Sequence, residues 1–212
     1  MENIIEKTIE YIKDFFKADF SGHDFYHTLR VYKLAKCIAK SEECDIELVC
    51  LSALLHDVDD YKLVGKEKEA FSNLKSFLKS QNYSNEKIEQ ICNIVSQVSF
   101  KGKSIIPDTI EGKIVQDADR LDAIGAIGIG RAFAYGGSRN RPMHNPDMRP
   151  RENMSSKEYY ESVGTTINHF YEKLLQLKDL MNTETAKNIV NHRHKYMEEF
   201  LKEFYDEWEG KI

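Results

Sequence analysis

The sequence predicts an all-α protein. Apolar residues recur at three- and four-residue spacing along most of the chain. Residues suited to capping stand at the head of several of these periodic runs. No stretch alternates as a half-buried strand would, and no Asn-Gly or Asp-Gly pair offers a hairpin turn.

Residues 2–18 set Ile5, Ile9, Ile12 and Phe16 on one helical face, and residues 23–40 continue the pattern with Leu34 and Ile38. Asp45 is placed to cap a helix through Leu48, Val49, Leu51, Leu54 and Leu55. That segment is apolar on almost every side and is expected to run through the core. Residues 66–80 and 85–98 read as two amphipathic helices, the second opened by Ser84. Asp108 and Glu111 have capping-box spacing after Pro107 and start a helix that carries DADRLDAIGAIGIGRAF. Ser155 and Glu158 have the same spacing ahead of a long helix ending near Met181, and Thr183 begins a final helix to about Trp208. Gly125, Gly128 and Gly130 follow no strand, so they read as close packing or a bend rather than as a dinucleotide fingerprint.

A chain of 212 residues is long enough for one domain with a real core, and 41% hydrophobic with 31% charged residues is ordinary for a soluble protein. No apolar run reaches membrane-spanning length. The start, MENIIEKTIEYIKDFFK, mixes acidic with apolar residues, unlike a secretory signal, so a cytoplasmic location is expected. Cys37, Cys44, Cys50 and Cys92 lack CxxC spacing and read as buried reduced thiols. A net charge of −5 attracts neither nucleic acid nor anionic lipid. Yet five of the eight arginines (Arg131, Arg139, Arg141, Arg149, Arg151) fall within 21 residues. They lie in or beside YGGSRNRPMHNPDMRPRENM, from Tyr135 to Met154, which holds three of the four prolines and reads as a substrate-facing loop.

The chemistry concentrates in three places. The apolar segment LVCLSALLHDVDD ends in His56, Asp57, Asp59 and Asp60, where burial of a charge is expensive unless it is paired or bound to metal. Upstream, His23, His27 and Arg30 cluster along one helix face beside Asp24. Downstream, Asp117, Asp119 and Asp122 surround Arg120. His192 and His194, two apart on a helix, face different ways and make a poor metal pair, and His169 reads as structural.

The ordered set His27, His56-Asp57 and Asp119 resembles the HD superfamily of metal-dependent phosphohydrolases. The stretches GHDFYHTLRV, LLHDVDD and DADRLDAIGAIGIGRAFAYGG resemble its bacterial branch of (deoxy)nucleoside triphosphate pyrophosphohydrolases. The resemblance implies a single helical HD domain over 1–212, with an Arg/Pro-rich loop at about 135–155. It also implies one divalent metal held by His27, His56, Asp57 and Asp119, with Mn²⁺ favoured and Mg²⁺ also possible. That mixed nitrogen and oxygen shell of two imidazoles and two carboxylates suits Mn²⁺, Fe²⁺, Co²⁺, Ni²⁺ or Zn²⁺. Asp122, one turn beyond Asp119, is the alternative fourth ligand. Residues 58–118 contain no histidine, which points to a mononuclear site.

The reaction then expected is hydrolysis of a (deoxy)nucleoside triphosphate to monophosphate and pyrophosphate by water activated at the metal. Asp60 is the candidate acid or base. His23, Arg30, Lys62, Arg131, Arg139 and Arg141 are the candidate phosphate contacts, the arginines by bidentate hydrogen bonding. The alternatives are an HD-type 5′-nucleotidase or phosphodiesterase, or a nucleotide sensor without turnover. No nucleic-acid or membrane partner is expected, and a monomer and a homodimer are both compatible with the sequence.

Overall fold

The computed structural model describes residues 1–17, 24–59, 70–98, 105–151 and 164–212. Among the described residues every regular element is helical, so the all-α expectation holds. The elements are α1 (Glu2–Phe15), α2 (Phe25–Ala39), α3 (Ile46–Leu55), α4 (Ser72–Ser80), α5 (Asn85–Val98), α6 (Ile110–Asp122), α7 (Gly125–Ser138) and α8 (Thr166–His169). A π-helical segment (Phe170–Leu174), a 3-10 helix (Leu175–Leu180) and α9 (Glu184–Trp208) follow. Among the described residues no helix is long and apolar enough to cross a membrane. The chain divides into two compact units, Met1–Phe100 with Ile105–Asp119, and Lys101–Ser104 with Arg120–Ile212.

The first unit is organised around α3. Every residue from Leu48 to Leu55 is buried, and α3 packs against α1, α2 and α5. The Asp45 carboxylate accepts the backbone N–H groups of Glu47 and Leu48 at 2.9 and 3.1 Å, satisfying donors the helix cannot pair internally. Leu51, Leu54 and Leu55 are each 0% exposed, and burial of each side chain contributes about 1.5–3 kcal/mol. Helix α1 presents Ile5 and Ile12 to this core, and its Tyr11 ring stacks on Phe77 of α4 at 4.3 Å. Ser84 opens α5 by accepting Lys87 N–H at 3.3 Å.

Two helix starts in this unit differ from expectation. The Asp108–Glu111 capping box does not form, because both side chains are taken by distant partners. Asp108 exchanges two hydrogen bonds with the Gln97 side chain, and Glu111 accepts the backbone N–H of Asp45 at 3.0 Å. Thr109 caps α6 instead, accepting Gly112 N–H at 3.1 Å. The helix expected over 66–80 is described from Ser72, after Phe71 in the left-handed conformation (φ 62); residues 66–69 lie outside the described residues.

The second unit holds α7, α8 and α9, with α9 packed against α7. The aromatic rings of Phe133, Phe170 and Phe200 meet here at 5.8 to 6.2 Å. The sequence DADRLDAIGAIGIGRAF is not one helix: α6 ends at Asp122 and α7 starts at Gly125. Gly125 has φ 75, which a side chain rarely tolerates, and a Cβ at Gly128 would lie 2.2 Å from the Ala123 carbonyl oxygen. These two glycines make the bend; Gly130 has open space beside it.

The long helix expected from Ser155 lies outside the described residues up to 163. From there to Met181 it is broken, because Thr165 is extended (φ −86, ψ 162) and caps a new helix by accepting Asn168 N–H. Thr183 caps α9 as expected, accepting Ala186 N–H at 3.3 Å. The Arg/Pro-rich stretch becomes irregular only after Ser138, and it is stitched down. Thr166 and Ile167 donate backbone N–H to the Pro142 and Met143 carbonyls, and the Asn168 side chain donates to Met148. All four cysteines are free, but only Cys50 and Cys92 are buried; Cys37 is exposed and Cys44 half-buried, a correction to the expectation of four buried thiols.

Candidate metal centre

His27 enters the site from the first turn of α2. Asp24 caps that helix by accepting His27 N–H at 2.8 Å, which sets the register of the imidazole, and His27 is 0% exposed. His56 and Asp57 arrive from turns just past the end of α3, and Asp119 from α6. The side chains converge. Asp57 Oδ2 lies 3.4 Å from His27 Nε2 and 3.3 Å from His56 Nε2, and Asp119 Oδ1 lies 3.5 and 3.9 Å from the same nitrogens. The two imidazoles stand edge to face, 5.3 Å between centroids.

This donor set fits a divalent cation. His56 Nδ1 lies 2.9 Å from the Ala53 carbonyl, which can only accept, so Nδ1 carries a hydrogen and Nε2 is the atom turned to the carboxylates. His56 Nε2 is buried and makes no hydrogen bond of acceptable geometry to either carboxylate. Ligand atoms around a first-row ion at about 2.1 Å are neighbours at roughly 3 Å, close to the spacing seen. Among the described residues, His27, His56 and Asp119 form the group of metal-type side chains whose ligand atoms all lie within 4.8 Å of one another, with Asp57 against both imidazoles.

Without metal, a proton takes the cation's place. Burial pushes the His56 pKa down, but the Asp57 and then the Asp119 carboxylates outweigh it and raise the value to about 9. Protonated His56 therefore stabilises the metal-free fold fully below pH 6.5, and that contribution is lost as pH rises through about 9. The span is worth on the order of 3 kcal/mol. Chelator-treated protein is expected to melt at lower temperature above pH 9 than near pH 6.5, with the difference abolished by saturating metal. A metal-free melting temperature that does not change across that interval refutes the coupling.

The other expected site residues divide into several groups. Asp60, Lys62 and His23 lie outside the described residues. Arg30 sits half-buried on α2, one turn after His27. Asp122, the alternative ligand, is 1% exposed and accepts a 2.7 Å ion pair from Arg131. Arg131 is thus already engaged by a carboxylate. Arg139 is exposed and lies over the Tyr135 ring, and half-buried Arg141 is close enough to His169 to help hold its pKa down. Burial is the larger cause there, with Lys173 adding to it, and the result is about 3, in keeping with a neutral structural histidine. Arg120 donates to the Leu180 carbonyl, a structural contact. His194 pairs with Glu198 at 3.4 Å.

Two roles were missed by sequence reasoning. Glu172, its side chain 4% exposed, receives Arg151 through both side-chain and backbone hydrogen bonds. Asp59 caps α4, its carboxylate accepting the N–H groups of Asn73 and Leu74.

A helical fold that brings the pair His56-Asp57 against a histidine before it and an aspartate after it defines a candidate metal centre of the HD type. The HD domain profile matches residues 24–124, and the chain belongs to the HD superfamily. It is 41% identical to an HD-superfamily hydrolase of Bacillus thuringiensis, covering 98% of both chains with a TM-score of 0.77. A Lactobacillus plantarum protein of known structure is 39% identical, with a TM-score of 0.87 over 99% of this chain and 98% of that one. Bacillus subtilis YpgQ is 33% identical over 93% of this chain and 90% of its own. The structure of YpgQ in complex with ADP matches at 32% identity and a TM-score of 0.77, covering 96% of this chain and 97% of that one.

Proposed function

We propose that this protein is a metal-dependent phosphohydrolase that cleaves (deoxy)nucleoside triphosphates to monophosphate and pyrophosphate. The observation that carries the reading is the convergence of His27, His56, Asp57 and Asp119 on one small volume. Membership of a hydrolase superfamily supports hydrolysis. YpgQ binding ADP supports a nucleotide as substrate class.

His27, His56, Asp57 and Asp119 would hold the ion, Mn²⁺ in this reading. When bound, it supplies Lewis acidity, polarising a phosphoryl oxygen and lowering the pKa of a water. The chain's own residues do the rest. His56 is held with Nε2 inward by its Nδ1 hydrogen bond to Ala53, so the ligand geometry exists before substrate arrives. Asp60 takes the proton from the attacking water in this reading. Arg30, with His23 and Lys62, neutralises the charge that accumulates on the departing pyrophosphate in this reading.

The test is metal-free protein reloaded with Mn²⁺ and given a panel of nucleoside triphosphates, diphosphates and monophosphates, with products followed by phosphorus NMR. Pyrophosphate and monophosphate from triphosphates are the expected products. Orthophosphate from monophosphates alone would make it a nucleotidase, and binding without turnover would make it a sensor.

A further inference from the structure

His56 and Asp57 do not sit on a helix. Helix α3 ends at Leu55, and the chain from His56 to Asp59 runs in turns whose backbone bond from Val58 N–H to the Leu55 carbonyl is long, 3.4 Å. Two candidate ligands thus hang on the part of a helix terminus that ordinarily frays. Something must stiffen it.

The structure supplies that restraint two residues further on. Asp59 Oδ1 accepts the Asn73 N–H at 3.0 Å, and Asp59 Oδ2 accepts the Leu74 N–H at 2.9 Å. The Asn73 side chain answers by donating to the Val58 carbonyl at 3.0 Å. Helix α4 needs this cap, because Phe71 in its own capping position is left-handed and provides no side-chain hydrogen bond. The far end of the clamp is rigid: Leu74 is 0% exposed in the core. Three hydrogen bonds, two of them to a carboxylate, therefore tie the turn that carries His56-Asp57 to a buried helix start 14 and 15 residues later.

We infer that Asp59 is a positioning residue for the metal centre, holding the His56-Asp57 turn in ligating geometry by capping α4. It rests on the reading of His27, His56, Asp57 and Asp119 as a metal site, and it adds a residue that touches neither metal nor substrate. Asparagine at this position keeps one acceptor oxygen but presents an NH₂ group to the second backbone donor, so half of the clamp is lost at nearly constant volume.

The experiment is calorimetric titration of chelator-stripped protein with Mn²⁺ alone, alongside melting temperatures, for wild type, Asp59→Asn, Asn73→Ala and Asp45→Ala. Asp45 is the control, because it caps the opposite end of α3, one of its oxygens accepting both backbone N–H groups. Asp59→Asn is expected to weaken Mn²⁺ binding roughly tenfold or more, as the loss of a group orienting metal ligands does. Asn73→Ala, which keeps the cap and removes only the bond to Val58, is expected to weaken it by about a third of that factor on a logarithmic scale, one bond of three. It also keeps the test valid if Asp59→Asn does not fold. Asp45→Ala, which removes that cap, is expected to lower the melting temperature while Mn²⁺ affinity stays within about twofold of wild type. Wild-type affinity in both Asp59→Asn and Asn73→Ala would overturn the inference and leave the metal site standing. Failure of the wild type itself to bind Mn²⁺, Co²⁺ or Zn²⁺ would instead overturn the metal site, and the inference with it.

Discussion

His56→Ala is expected to abolish turnover of triphosphates, with kcat/KM down by about a thousandfold or more, a loss of roughly 4 kcal/mol of transition-state stabilisation. The reason is twofold. The substitution removes an inward-facing nitrogen from the candidate ligand set, and it removes an imidazole whose pKa the Asp57 and Asp119 carboxylates raise to about 9. Metal-free His56→Ala therefore leaves two carboxylates facing the site with less positive charge to balance them. Its melting temperature is expected to fall below that of metal-free wild type near neutral pH. Metal content per chain, kcat/KM and melting temperature should be measured on the same preparation. A His56→Ala protein that keeps stoichiometric metal at wild-type affinity would show that the ion sits elsewhere.

Such a site is legible in sequence because it violates the local pattern. Leu48 to Leu55 are all buried, and an ionisable run directly after them has to be paired or ligating. Helix caps were legible where the capping side chain serves its own helix, as Asp45, Ser84 and Thr183 do. They were misread where the partner is remote. Asp108 and Glu111 have the right spacing for a capping box but are bonded to Gln97 and Asp45, contacts that only the tertiary fold creates. Asp59 is the converse case: nothing adjacent announces a cap whose helix begins at Ser72. The arginine-rich stretch was visible as a charge excess, yet composition does not say which guanidinium groups are already spoken for. Arg131 is bound to Asp122 across the Gly125 bend, and Arg151 to Glu172 twenty-one residues on.

The two aspartates between which the sequence did not decide stand on the same helix, α6, in different surroundings. Asp119 Oδ1 faces both imidazoles and its side chain is 29% exposed, whereas Asp122, 2% exposed in its side chain, is paired with Arg131. Arg193 shares that surrounding: burial lowers its pKa and the Asp122 charge opposes the lowering. Removing one partner from a buried pair strands the other, at a cost of about 3–5 kcal/mol. Asp122→Ala is accordingly expected to lose about 3 kcal/mol of stability in urea unfolding and to keep its metal affinity. Asp119→Ala is expected to lose the metal while its metal-free stability falls by less than that of Asp122→Ala, since the Asp119 side chain is partly exposed and Asp57 remains beside His56. Both unfolding series must be run in chelator, because bound metal raises apparent stability by mass action and would mask the contrast. The reverse pattern, metal retained in Asp119→Ala and lost in Asp122→Ala, would transfer the ligand role to Asp122.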